Sequence, residues 1–182
     1  MVFFALGIIV GLGLGWGRGG RLAALGQLSM RSVWILAVAV LVHEVVPYLI
    51  HPVEHRFVGW ADALVLYGGL LAFLWLNRHL PGAYIAMVGT ACNGVASLLA
   101  GGAMPVWANA LGRIPPSVVA RLESGTLATH VIFHQLSGWR YLGDILALPR
   151  PLPSGVVSFG DILLSLSFIG FLAIGMTTPR RV

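Results

Sequence analysis

Residues Tyr141–Leu163 read YLGDILALPRPLPSGVVSFGDIL. The tetrapeptide Gly-Asp-Ile-Leu occurs in this stretch twice, at Gly143–Leu146 and at Gly160–Leu163, with a proline-rich turn from Leu148 to Pro153 between the copies. Asp144 and Asp161 are two of only six acidic residues in the chain. Each stands at the brink of apolar sequence. The second copy lies in a run, Val156–Met176, of the length that crosses a bilayer, for which about 20 residues are typical. The stretch therefore reads as the junction between a structured loop and a last membrane helix, and polar chemistry has few other places to sit.

Working outward, the whole chain has the composition of a polytopic membrane protein. Its 182 residues are 58% hydrophobic and 9% charged, with a mean hydropathy of +0.90, whereas soluble domains carry about 25% charged residues. The net charge is +5 and every basic residue is Arg. These Arg residues are scattered between apolar runs without interleaved aromatics, which argues against nucleic acid as a partner. The lone Cys92 excludes an intramolecular disulfide and reads as a small buried hydrophobe.

The expected fold is all-α: a single integral membrane domain of about five transmembrane helices, near residues 1–16, 32–50, 58–76, 83–104 and 156–176. In the first segment Gly7, Gly11, Gly15 and Gly19 recur every fourth residue, a small-residue face suited to close helix contact. The second, Ser32–Ile50, is interrupted by Pro47. In the fourth, Ala86, Thr90, Asn93, Ser97 and Gly101 form a small and polar stripe. That stripe should face another helix, because Asn93 would otherwise lie unsatisfied in hydrocarbon. Residues 105–155 form a loop far beyond the usual length. It is rich in aromatic and aliphatic residues, so it should be ordered, with short helices at Ser117–Ser124 and Thr126–Leu136.

Charge sets the expected orientation. Arg18, Arg21, Arg31, Arg78, Arg180 and Arg181 crowd short connectors and the carboxyl terminus on one side, while the remaining Arg residues are diluted over the long loop side. The positive-inside rule then places the amino terminus and the long loop outside the cytoplasmic membrane and the carboxyl terminus inside. The order of charge at the amino terminus agrees, since the apolar run precedes Arg18 and Arg21, the reverse of a signal peptide.

Three constellations carry candidate chemistry. Asp144 and Asp161 can serve as a catalytic carboxylate pair sharing a proton; the competing reading is that each caps a helix start. His43 and Glu44 lie within the second span, where ionisable residues mark a site by default. With Asn93 and His130 they form a candidate ligand-binding set, the alternative being a structural pairing of Glu44 with His43, Asn93 or an Arg. Finally, His51/His55 and His130/His134 are spaced i, i+4, and four imidazoles can bind a metal or haem. No HExxH-type metal motif, phosphate loop or nucleophile elbow is present.

GGAMPV (Gly101–Val106), Thr129-His130, YLGDILALPRPLP and VVSFGDILL together resemble, in that order and over most of the chain, a family of small bacterial multi-pass membrane proteins of unknown function. The resemblance implies a multi-span helical protein and no stated activity. In that family a polar residue and an Arg flank the first Gly-Gly, where this chain has Ala100 and Ala103, and His43-Glu44 and His134 are particular to this sequence. FGDILL also resembles, locally, lipoprotein signal peptidase, which uses an aspartate pair at the outer membrane surface; the Asn that precedes its second Asp is missing here. The first functional expectation is an accessory or binding protein with a polar site at the outer face. Its partners would be membrane lipid, quinone, another membrane protein or a second copy of the chain. The alternatives are an aspartate-dependent intramembrane hydrolase and a His-ligated metal or haem protein.

Overall fold

A computed structural model describes residues 2–49, 56–152 and 154–178. The fold is mostly α-helical. Long helices α1 (Val2–Gly17), α3 (Val33–Leu49), α4 (Arg56–Leu76), α5 (Ala83–Leu99) and α7 (Phe159–Gly175) form the body, and α2 (Leu22–Leu25) and α6 (Pro116–Glu123) are short. Between α5 and α7 the chain forms four short strands: β1 (Met104–Trp107), β2 (His130–Phe133), β3 (Leu146–Ala147) and β4 (Val156–Val157). Among the described residues, Phe57–Leu76 is long and apolar enough by itself to cross a membrane, with mean hydropathy 1.8. Phe3–Gly17, Val33–Val46, Ala83–Leu99 and Phe159–Gly175 are apolar but shorter.

The long helices pack as a row in the order α3, α4, α5, α7, α1. Close approaches fix their directions. His43 meets Asp62 while Ala39 lies against Gly69, so α3 and α4 are antiparallel. Gly94 packs on the Tyr67 ring and Gly59 on Gly101, which makes α4 and α5 antiparallel as well. Gly82 meets Ser167 and Gly89 meets Gly160, so α7 runs against α5. On the far side of α7, Gly7 lies against Ser165, Gly11 against Leu172 and Gly15 against Met176, so α1 runs parallel to α7. The glycine face of α1 is thus the α7 contact for three of its four predicted members. Gly19 is the exception. It sits past the helix end at φ +75 with open space around it, and Gly20 takes over the contact with Met176.

At the end of the row away from the long loop, Asn77 ties α4 to the start of α3. It is 1% exposed; its Oδ1 accepts from the Arg31 backbone N–H at 2.7 Å, and its Nδ2 donates to the Arg31 and Phe73 carbonyls, each at 2.8 Å.

Four sequence expectations are corrected here. Pro47 does not interrupt α3, which runs on to Leu49. The fourth apolar segment stops being helical at Leu99 rather than continuing to Met104, because Gly101 and Gly102 adopt φ values of 87 and 101, outside the helical range. The last helix begins at Phe159 because Val156 and Val157 pair with β3. Residues 126–136 are not a helix: His130–Phe133 is a strand that pairs in parallel with β1, Met104 opposite His130. The other expected loop helix is present as α6, with proline at its first turn.

Candidate functional site

The site lies where the loop-side ends of α3, α4, α5 and α7 meet β1 and β2. Its centre is the start of α7. Ser158 is the N-cap: its hydroxyl accepts from the Asp161 backbone N–H at 2.9 Å, and the Asp161 Oδ2 accepts in return from the Ser158 N–H at 3.2 Å. This reciprocal capping box satisfies two otherwise orphaned donors. Asp161 is therefore a cap, as one sequence reading held, yet its second oxygen faces away from its own helix. Oδ1 accepts from Asn93 Nδ2 at 2.9 Å, and Asn93 Oδ1 accepts from the Ser158 hydroxyl at 2.8 Å. Asn93 on α5 is buried and satisfied by the start of α7, where Gly160 lets the two backbones approach closely.

Asp144 arrives from the other direction. Its backbone N–H donates to the Pro105 carbonyl at 2.8 Å and its carbonyl accepts from Trp107 N–H at 3.0 Å, which adds it to the free edge of β1. His130 pairs with the opposite edge of β1, and its Nε2 lies 3.8 Å from Asp144 Oδ2. At that distance the contact is electrostatic rather than a hydrogen bond. The His130 Nδ1 is engaged at 2.8 Å with the Thr129 hydroxyl. Asp144 is 6% exposed, and its Oδ1 is buried without a partner. Burial, with the Asp161 charge acting in the same sense, pushes its carboxyl up to about 8. Burial lowers the His130 imidazole below its ordinary value. At neutral pH the loop thus presents a protonated carboxyl beside a neutral imidazole.

On the helix side, His43 Nδ1 and Asp62 Oδ2 are 2.8 Å apart, joining α3 to α4. The Ser97 hydroxyl donates to Tyr67 OH at 3.2 Å, joining α5 to α4. These groups enclose a cavity of about 160 Å³ lined by His43, Tyr67, Asn93, Ser97, Thr129, His130, Asp144 and Asp161 together with Ala63, Leu66, Gly102 and Met104. Neither Arg nor Lys is among these lining residues, all of them described.

The cavity brings together Asp144, Asp161, His43, Asn93 and His130 of the sequence-predicted residues. It does not include Glu44, which is exposed on α3; the partner of His43 is Asp62. His51 and His55 lie outside the described residues. His134 is exposed beyond the end of β2. Four residues along a strand span about 13 Å, so the i, i+4 spacing of His130 and His134 does not juxtapose their rings as a helix would. Among the described residues no group of three or more His, Cys, Asp or Glu side chains is placed to hold a metal ion.

Sequence reasoning missed Asp62, Tyr67 and Thr129. Asp62 in particular is buried. Its one available signal was helical phase: Asp62, Leu66 and Gly69 fall on the α4 face that meets α3 and the cavity.

A family model described as a family of unknown function, DUF5317, matches residues 27–173. A protein from Thermotoga maritima, named only as uncharacterized, is 30% identical over 134 residues, covering 71% of this chain and 72% of its own length. No solved structure matches.

Proposed function

The chain belongs to DUF5317, a family of unknown function, and we propose that it is a multi-pass binding or accessory protein of the bacterial cytoplasmic membrane. In this reading its five long helices cross the bilayer, with the amino terminus and the β1–β4 region outside and the carboxyl terminus inside. The cavity at the outer face receives a small polar group borne by a lipid, a quinone or a partner subunit. The alternating helix directions support the five-span arrangement. So do the large apolar side chains exposed on every long helix, among them Ile9, Leu41, Leu64, Val88 and Leu166. An apolar belt of that extent is unusual on a soluble monomer and suits contact with lipid.

The observation that carries the binding reading is Asp144 Oδ1. A buried polar atom without a partner costs about 1–3 kcal/mol, and the carboxyl that carries this one belongs to a residue lining a cavity that four helices and two strands combine to build. A bound group that donates a hydrogen bond offsets that cost. Native mass spectrometry of the detergent-purified protein tests the proposal. A small adduct should persist on the wild type and be lost from Ala63→Leu, which fills the cavity, and from Asp144→Asn. A wild type with no adduct, strictly monomeric and without a partner, would remove the support for a binding role.

A second reading, an aspartate-dependent hydrolase at the same surface, is favoured by one asymmetry. Asp161 accepts two hydrogen bonds suited to a carboxylate, whereas Asp144 is protonated at neutral pH. Two carboxyls in one site with opposite protonation can divide base and acid roles. Asp161 would take a proton from water as its oxygen bonds to the scissile carbonyl carbon, and Asp144 would protonate the departing atom. Cleavage of membrane-protein or lipid extracts that is lost in both Asp144→Asn and Asp161→Asn is expected on this reading; no product from the wild type excludes it.

A further inference from the structure

We infer that the cavity is a site for a primary ammonium group, a free small amine or an amine-bearing lipid headgroup, taken up in exchange for the proton of Asp144. This deepens the binding reading above and rests on it. Three observations carry it. The first is charge. Asp144 and Asp161 line the cavity and Asp62 lies behind His43, with neither Arg nor Lys among the lining residues. A phosphate or carboxylate would meet like charge and no counter-charge, whereas a cation is complementary. The second is donor and acceptor balance. An alkylammonium offers three N–H donors and no acceptor, and the residues lining the cavity supply the Asp144 and Asp161 carboxyls and the Tyr67 hydroxyl. The third is size. A cavity near 150 Å³ accommodates a molecule as large as benzene, so about 160 Å³ takes an ethanolamine-sized group.

The exchange keeps the charge of the site constant. When the ammonium enters, Asp144 releases its proton to solvent, so one positive charge replaces another and the net charge is unchanged. His130 has its side chain 37% exposed and its Nε2 3.8 Å from Asp144 Oδ2. The titratable groups facing Asp144 across the cavity are Asp161 from α7, His130 from β2, His43 from α3 and Tyr67 from α4. Of these, the Asp161 charge favours the protonated form.

The test uses the full chain in nanodiscs of phosphatidylglycerol, which has no amine. Ethanolamine is titrated in at pH 7 while heat and proton release are recorded. With the Asp144 carboxyl pushed up to about 8, most of a proton should be released per ethanolamine bound at pH 7, and less as the pH rises past that value. Ethylene glycol and acetate should not bind. A parallel set of nanodiscs containing phosphatidylethanolamine separates the two sources: a retained lipid that blocks ethanolamine identifies the headgroup, and free access identifies the soluble amine. Ethanolamine binding without proton release would overturn the exchange. Failure of both amines, alongside a neutral or anionic adduct that Ala63→Leu removes, would overturn the ammonium assignment and leave the binding reading standing. Failure of every probe, with no adduct on the wild type, would overturn both.

Discussion

Asp144 and Asp161 face one cavity because the β3–β4 register folds the two Gly-Asp copies toward each other. Leu146 pairs with Val157, and extending that pairing by two residues sets Asp144 level with Phe159, at the start of α7. The proline-rich segment between is the connecting loop. Arg113 secures it, donating from Nε to the Leu148 carbonyl at 2.7 Å and from Nη2 to the Leu152 carbonyl at 3.1 Å. The repeated tetrapeptide is thus two approaches to one site, one from the loop and one from the start of α7.

The raised Asp144 pKa makes stability pH-dependent with a definite sign. An unfolded Asp titrates near 3.9 and the folded one near 8, so between these values the folded state holds the extra proton. Stability is then lost as pH rises, by about 2 kcal/mol between pH 6 and pH 8. Thermal melting in detergent should show a falling transition temperature over that interval and a flatter profile in Asp144→Asn. A wild-type profile that rises or stays level would contradict the buried protonated carboxyl.

Packing of α1 on α7 should respond to position rather than to residue type. A side chain at Gly7 would collide with Ser165, and overpacking of that kind costs about 1–3 kcal/mol. Gly13 has open space. Gly7→Leu should lower the melting temperature clearly and Gly13→Leu should leave it nearly unchanged. Equal effects from the two would mean that α1 does not use this face.

Asn77 has a comparable role at the opposite end. Asn77→Ala leaves the Arg31 N–H and carbonyl without their side-chain partner, at about 1–3 kcal/mol per stranded group. Loss of at least about 2 kcal/mol in a denaturation series is expected. Asn77→Ala with wild-type stability would show that the α3–α4 tie is not held by this side chain.

Orientation is tested by placing single cysteines at Ser124 and Gly20 in a Cys92→Ala background and treating intact cells with a membrane-impermeant thiol reagent. Labelling at position 124 and protection at position 20 are expected from Arg density. The reverse would place the cavity in the cytoplasm.

Much of this architecture is legible in local sequence. The five long helices lie within a few residues of the apolar segments, the α1 glycine face holds at Gly7, Gly11 and Gly15, and the polar stripe of α5 is buried at Thr90, Asn93 and Ser97. What was not legible is mostly non-local. The parallel pairing of Met104–Trp107 with His130–Phe133 joins segments far apart in sequence, and nothing within either one announces it. His-Val-Ile-Phe carries the β-branched and aromatic residues of a strand, although the expectation from sequence for Thr126–Leu136 is a helix. At His43-Glu44, neighbouring residues on a helix point about 100° apart, so only one can face the cavity. That one is His43, because Asp62 on α4 supplies its partner. The distance between Asp144 and Asp161 could not be read at all until the β3–β4 pairing was known.

Asp144 sits protonated at neutral pH beside the hydrogen-bonded Asp161, in one cavity. Infrared difference spectroscopy of the purified protein, wild type against Asp144→Asn, measures this directly. A protonated-carboxyl carbonyl band is expected at pH 7 that is absent from Asp144→Asn, persists in Asp62→Asn, and titrates away around pH 8. A wild-type spectrum at pH 7 with only ionised carboxylate bands would contradict it.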